Sequence, residues 1–191
     1  MSVAFAPVEL PRPSGGVLLL REATLGDAHA FAALVAGDLD HLGEHLPWAA
    51  GAATPEGAAA FLGRYLRREG GRVLVLLLLD GDVVVGGTAL LGHDPAADAV
   101  EVGCWIATDY EGEGLVRRAC LATIAHARRA LGAHRLVWTA AAGNARSAAL
   151  ARRLGFRPEG RRRHAAVHRG RRQDLDGFSL IGDEIDAALA G

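Results

Sequence analysis

The residues with the clearest chemical potential are Tyr110-Glu111-Gly112-Glu113-Gly114-Leu115-Val116, which follow a strand-like run, Val100 to Ala107, and open a helix-like run reaching about Leu131. Gly112 and Gly114 carry no Cβ, so the backbone can approach an anion closely while the unpaired N–H groups of a first helical turn point at it. The natural tenant is a pyrophosphate-bearing cofactor, although a strand–Gly–helix turn can also be no more than a tight connection. The turn is not the dinucleotide fingerprint, which needs a third glycine and an acidic residue about twenty positions on. Nor is it a P-loop, since no Lys-Ser/Thr pair follows and the chain contains no lysine.

A second block stands 30 residues beyond Gly114: Asn144-Ala145-Arg146-Ser147, then a helix-like Ala148 to Leu154 closed by Gly155-Phe156. With both blocks in view the chain resembles the GNAT acyl-CoA N-acyltransferases, in particular the branch of the ribosomal-protein N-terminal acetyltransferases. Four further segments carry the resemblance: Arg21-Glu-Ala-Thr24 with Asp27-Ala28, His45-Leu-Pro47-Trp48, Glu101-Val-Gly-Cys-Trp105, and Leu154-Gly-Phe-Arg-Pro-Glu159-Gly160. They span nearly the whole chain in the family's order.

The resemblance implies a mixed, mostly antiparallel α/β (α+β) sheet flanked by helices, with two central strands that splay apart to admit the pantetheine arm. It implies that the thioester carbonyl is polarised by backbone N–H groups of Trp105, Ile106 and Ala107. The pyrophosphate would be held by the backbone of Glu111, Gly112, Glu113, Gly114, Leu115 and Val116, with Arg117 beside it, and Asn144 would fix the pantetheine arm. Such chemistry also needs a base for the incoming ammonium and an acid for the departing thiolate. Glu101, on the strand leading into the cleft and on one face with Gly103 and Trp105, is the candidate base; an exposed strand carboxylate is the alternative. Ser147 matches the family's proposed acid, and it could equally be the N-cap of the following helix. His41, His45 and Trp48 fall in the stretch that forms one wall of the acceptor pocket in the family, although Trp48 could also be a core anchor.

The chain departs from the pattern in two places. Glu111 stands where Gln or Arg is usual, and Glu113 adds a second carboxylate; a like-charge pair at 4 Å costs roughly 1 kcal/mol in water and several times that at lower dielectric. Arg117 and Arg118 could offset this. After Gly160 the family branch can place an acid on the next strand, whereas this chain reads Arg163-His164-Ala165-Ala166-Val167-His168. Glu101 would then act alone, a histidine (His164 or His168) would substitute, or the substrate class would differ. Residues Arg161 to Arg172 hold six arginines; with no interleaved aromatics, a solvated hairpin ranks above an acidic-substrate site, and nucleic acid ranks last.

The elements that must position these residues can be read in outline. Residues 1–16 form a loose lead-in, 17–182 one domain, and 183–191 a tail. Val17–Leu20 reads as a strand, and Thr24 caps a helix from about Leu25 to Ala36 whose stripe is Ala28, Phe31, Leu34 and Val35. His41 to Ala53 shows little regular pattern. Thr54-Pro55-Glu56 opens a helix that ends at Gly70-Gly71. Arg72–Leu79, a turn at Asp80-Gly81-Asp82, Val83–Leu91 and Ala99–Ala107 form a meander. The order then becomes helix 113–131, strand Arg135–Ala140, helix Ser147–Leu154 and strands near Glu159–His168 and Asp174–Leu180.

At 191 residues, with 50% hydrophobic composition and 21 basic against 22 acidic residues, bulk charge implies neither nucleic acid nor membrane as a partner. The start lacks a basic flank followed by an apolar core, and no run of about eighteen apolar residues occurs, so a cytoplasmic protein is expected. Cys104 and Cys120 read as packing residues, and histidine triads for a metal are absent. The reading is an N-acyltransferase that takes acetyl from acetyl-CoA to a primary amine, a protein N-terminus or a small amine, by direct attack in a ternary complex. A succinyl-CoA-type transferase of the same fold is the alternative within the class, and a catalytically silent CoA- or RNA-binding module the alternative outside it. Family members are often dimers, which leaves a homodimer open.

Overall fold

The computed structural model describes residues 4–69 and 73–191. Gly70, Gly71 and Arg72, read above as a helix break and the start of a strand, lie outside them. One eight-stranded sheet runs through the molecule in the order β1-β2-β3-β4-β5-β6-β8-β7. Its strands are β1 (Val8–Pro11), β2 (Val17–Glu22), β3 (Leu74–Asp80), β4 (Val83–Asp94), β5 (Ala99–Ile106), β6 (Arg135–Ala141), β7 (Arg157–His168) and β8 (Arg171–Ile181). Every pairing is antiparallel except β5 with β6.

Two apolar layers cover the sheet. On one face pack α1 (Ala28–Gly37), α2 (Leu39–His45), α3 (Ala49–Ala52) and α4 (Pro55–Leu66), with Phe31, Leu62, Leu77 and Trp105 at their centre. The opposite face carries α5 (Leu115–Ala130), α6 (Ala145–Arg153) and α7 (Asp183–Ala190) over Leu20, Leu76, Leu136 and Phe178. β3 reads Leu-Val-Leu-Leu-Leu-Leu because it is buried on both faces, and such a strand has no polar side. The α1 stripe is Ala28, Phe31, Ala32 and Val35, the 3.6-residue period of a helix with one buried face. Leu34 lies at its margin, where the sequence had placed it in the stripe. Thr54 caps α4 by accepting from the Gly57 N–H at 3.1 Å, with Pro55 in the first turn.

Three expectations are corrected. The segment read as a loose lead-in contains an edge strand: β1 pairs with β2 from Val8↔Leu20 to Pro11↔Val17, and Phe5 and Leu10 are buried. Pro11 is the last residue of this edge strand, where a missing N–H is tolerated. Residues 41–53 hold two short helices instead of an irregular loop, because Leu42, Ala49 and Ala52 bury against the α1 and α4 layer; Asp38 at the start of α2 also accepts from the Thr108 N–H (2.8 Å) and hydroxyl (2.9 Å). The segment read as a tail is α7, whose Ile185 is fully buried.

α5 is fixed to the sheet by a buried polar contact as well as by apolar packing. The Thr123 hydroxyl donates to Ala119 O at 2.8 Å, so the Thr88 hydroxyl on β4 must be the donor in the 2.6 Å contact between the two threonines. Among the described residues no helix is long and apolar enough to cross a membrane.

If β1 is an integral strand, Leu10→Ala lowers unfolding stability by about 2 kcal/mol, the low end of the range for a buried leucine. Urea denaturation checks this; a loose lead-in would give no measurable change.

Candidate active site

β5 and β6 lie side by side only at Ala99↔Arg135, Val100↔Leu136 and Glu101↔Val137. Beyond that point β5 stays with β4 as far as Gly86↔Ile106, and β6 stays with β8 as far as Ala141↔Leu175. The two parallel strands therefore diverge and leave a gap in the sheet. The Ala107 N–H donates to Val85 O at 2.8 Å. By the two-residue alternation of an antiparallel ladder, Gly103, Trp105 and Ala107 turn their N–H groups to β4, and Cys104 and Ile106 turn theirs to the gap. Of the three donors expected from Trp105 to Ala107, only that of Ile106 is free to face a ligand.

A cavity of about 620 Å³ fills the gap. Leu115, Val116, Trp138, Ser147 and Leu150 line it on the α5/α6 face, and His41, Leu42, His45, Leu46 and Trp105 line it on the α2 face. It thus crosses the sheet, so two reactants could meet in it from opposite sides.

At one end lies the glycine turn. Gly112 (φ +81°) and Gly114 (φ +71°) are left-handed, and a Cβ at either would meet nothing within 4 Å. Glycine is needed there for backbone conformation, and the space above the turn is open. The first backbone bond into α5 runs from the Arg118 N–H to Gly114 O at 3.2 Å. The N–H groups of Leu115, Val116 and Arg117 therefore have no helical partner, and the positive end of the helix dipole lies at the mouth. Arg117, Arg146 and Arg153 also line the cavity. The site thus offers what a pyrophosphate requires: clustered N–H donors, guanidinium groups and room.

The two acids that seemed to oppose an anion are disposed differently. Glu113 does not line the cavity: its side chain turns outward, accepting from Arg12 Nη2 (2.6 Å), Arg12 Nε (3.2 Å) and the Ser14 hydroxyl (2.8 Å). Hydrogen bonds from Arg12 and then Ser14 hold its carboxyl down at about 2. Glu111 stays in the lining, where it forms an ion pair with Arg146 and lies 3.3 Å from His41 Nε2. It links α2 on one face to α6 on the other.

Glu101 lies just behind the lining, on the α2 face of the sheet beside Thr139, which does line the cavity. Burial pushes its carboxyl up; a hydrogen bond from Thr139 and the charge of Arg162 pull it partly back. Arg162 Nη2 reaches Thr139 Oγ1 at 3.4 Å.

Asn144, not Ser147, caps α6: its Oδ1 accepts from the Ser147 N–H at 3.0 Å. That frees the Ser147 hydroxyl, whose Oγ accepts from the Trp138 indole N–H at 2.9 Å and so keeps its own proton for another partner.

Trp48 is half-buried and does not line this cavity. Its ring centroid is 5.7 Å from that of Phe31, 4.7 Å from Phe61 and 5.4 Å from Trp105, an aromatic cluster behind the lining. His45 does line the cavity. His164 and His168 do not; the His168 ring bonds Gly43 O at 2.9 Å and ties the arginine hairpin to α2. Cys104 lines the cavity, whereas Cys120 is buried in the core as expected.

The model of the acetyltransferase (GNAT) domain matches residues 17–157. The chain belongs to the GNAT family. A Bacillus subtilis (strain 168) relative named "Putative ribosomal N-acetyltransferase YdaF" is 36% identical over 105 residues, which are 55% of this chain and 57% of that one. The chain thus spans less than two thirds of that relative's length. A solved structure of a protein called "Probable acetyltransferase" is 28% identical, with a TM-score of 0.79 over 87% of this chain and 94% of the other. Mycobacterium smegmatis RimJ, solved with CoA-disulfide, shares the fold at a TM-score of 0.81 and 22% identity, covering 96% of this chain and 92% of RimJ.

Within this GNAT site Arg12 and Arg146 were not legible as partners for the acids, since each pairs with a residue distant in the chain. Trp138 and Thr139 could have been found: they are adjacent positions on the second splayed strand, one facing each side of the sheet.

Removing the Glu111 charge should favour a bound pyrophosphate and release Arg146 to it. Glu111→Gln is expected to lower the Kd for CoA about threefold to tenfold at low ionic strength, and calorimetry measures it.

Proposed function

We propose that the chain is an acyl-CoA-dependent N-acyltransferase that moves acetyl from acetyl-CoA to a primary amine, a protein N-terminus or a small amine, in a ternary complex. The observation that carries this reading is the continuity of the site. An anion cradle at Gly112–Arg117 opens into a cavity that crosses the sheet, and a half-buried carboxylate stands beside its far face. The name of the Bacillus subtilis relative supports an amine on a ribosomal protein as one acceptor class.

Acetyl-CoA supplies a thioester whose carbonyl carbon accepts the amine. The chain's own residues do the rest. Leu115, Val116 and Arg117 N–H groups, with Arg117 and Arg146, hold the pyrophosphate. The Ile106 N–H, aimed into the gap, donates to the carbonyl oxygen as negative charge develops there. Glu101, directly or through a water at Thr139, takes one proton from the incoming ammonium, and the free amine then attacks the carbonyl carbon. The Ser147 hydroxyl, polarised by the Trp138 indole N–H, gives its proton to the departing sulfur as the C–S bond breaks, and the second proton lost by the nitrogen as the amide forms returns to the serine through solvent. No covalent acyl-enzyme is needed, so Cys104 has no step to perform.

Arg162 favours one variant. It makes no ion pair within 4 Å among the described residues and lies next to the Glu101–Thr139 contact, where it could meet a carboxylate on the acyl chain. Thiol-release turnover with acetyl-CoA and succinyl-CoA, against N-terminal peptides and small amines, separates the two and tests the proposal as a whole.

Glu101→Gln should lower kcat by about 10²–10⁴-fold and leave CoA affinity unchanged. Because the base acts as the carboxylate and its pKa is raised, the rate falls with decreasing pH while still above the ordinary carboxylate range. Arg162→Met, which removes a charge that stabilises the carboxylate, should move that acid limb to still higher pH; a pH profile of kcat/KM reads both.

A further inference from the structure

We propose that Arg12 is a positioning residue for the CoA cradle: it draws Glu113 out of the anion site and holds the Tyr110–Gly114 turn in its open form, without touching substrate. The inference rests on the cosubstrate reading above.

Arg12 lies in the turn between β1 and β2, 101 positions from Glu113 in sequence, yet its guanidinium reaches three points around the cradle. Nε and Nη2 fork onto the Glu113 carboxylate at 3.2 and 2.6 Å. Nη1 donates to Asp80 Oδ2 at 3.0 Å, the same oxygen that accepts from the Tyr110 hydroxyl at 2.9 Å. The guanidinium carbon stands 4.7 Å from the centroid of the Tyr110 ring. The Ser14 hydroxyl adds 2.8 Å to Glu113, and Arg118 in the first turn of α5 donates through Nη1 to Pro11 O. The β1–β2 turn is therefore joined to both ends of the cradle, Tyr110 before it and Arg118 after it.

The cradle needs such a joint. Glu113 sits between two left-handed glycines, and no heavy atom outside their immediate chain neighbours comes within 4 Å of where a Cβ of either would be. Packing therefore does little to decide which way Glu113 points, and glycines on both sides let the peptide planes rotate. The fork of Arg12 and the Ser14 hydroxyl decide it. A planar guanidinium fixes a carboxylate in orientation as well as in place, which a lysine ammonium does not. The low titration of Glu113 reflects the same contacts, with Arg12 first. If Arg12 is lost, a charged Glu113 is free to turn toward the N–H groups that the pyrophosphate requires, and it competes for them.

The test is calorimetry of CoA binding to the full chain as wild type, Arg12→Ala, Arg12→Lys, Glu113→Ala and the Arg12→Ala/Glu113→Ala double variant. Alongside it, acetyl-CoA kinetics and hydrogen–deuterium exchange of the Tyr110–Val116 segment are measured. Arg12→Ala is expected to weaken CoA binding about tenfold, one pKa-unit equivalent of interaction, and to raise KM for acetyl-CoA with kcat little moved. The double variant should recover to within about threefold of wild type, since the competing carboxylate is gone. Arg12→Lys should fall between, as the charge stays but the fork is lost. A double variant as weak as Arg12→Ala would show a merely structural arginine and overturn the proposal, as would wild-type binding by Arg12→Ala. Should Arg12→Ala fail to fold, Arg12→Lys binding CoA like wild type overturns it. If the wild type binds no CoA, the cosubstrate reading fails instead; faster exchange of Tyr110–Val116 in the arginine variants still supports the clamp, and unchanged exchange sinks it.

Discussion

Everything at the site depends on two parallel strands that stop pairing. β5 and β6 are neighbours over three residue pairs and then part, each kept on course by its outer partner. For β5 that partner is β4, and the approach is close. A Cβ at Gly87 would stand 2.4 Å from Leu76 O and 2.5 Å from Trp105 Cζ2, so only glycine lets the Trp105 ring lie across β4. For β6 it is β8, paired without interruption from Arg135↔Ile181 to Ala141↔Leu175. The gap is held open from outside. Backbone groups facing it lose sheet partners, and an unpaired buried polar group costs about 1–3 kcal/mol, so these positions favour a ligand or water that can satisfy them.

Because the gap passes through the sheet, the two faces can divide the work. The α5/α6 face offers the helix N-terminus, Ser147 and Trp138; the α2 face offers His41, His45, Thr139 and, behind them, Glu101. Glu101 and Ser147 belong to opposite faces, which suits an acceptor that loses its proton on one side and a thiolate that gains one on the other. The aromatic cluster of Phe31, Trp48, Phe61 and Trp105 gives the α2 side of the gap a stiff backing, since planar rings packed edge-to-face and offset have few alternative arrangements.

Charge around the cradle is managed one pair at a time. A chain with arginine as its only long cation meets each nearby acid with a guanidinium: Glu113 with Arg12, Glu111 with Arg146. The two pairs differ in consequence. The first takes an acid out of the site and ties an edge strand to it; the second leaves an acid within the site, with Arg146 available to exchange one anion for another.

Residue order and type alone determined a good deal. The glycine turn between strand and helix, the Asn144/Ser147 block, the strand meander with its Asp-Gly turn and the Thr54-Pro55 helix start are all local signals: a backbone preference or a cap acts within a few residues, so it can be read from neighbours in the chain. Glu101 could be placed on the face of Trp105 by strand alternation for the same reason. Tertiary structure decided what depends on distant partners. It made residues 8–11 a strand, because β2 was there to pair with; moved the helix cap from Ser147 to Asn144 and gave the serine to Trp138; and withdrew Trp48 into an aromatic cluster. It also turned Ala107 away from the cleft toward Val85. Above all, the sequence shows two glutamates beside a glycine turn, and only the fold, by bringing Arg12 and Arg146 to them, sets which one points into the site.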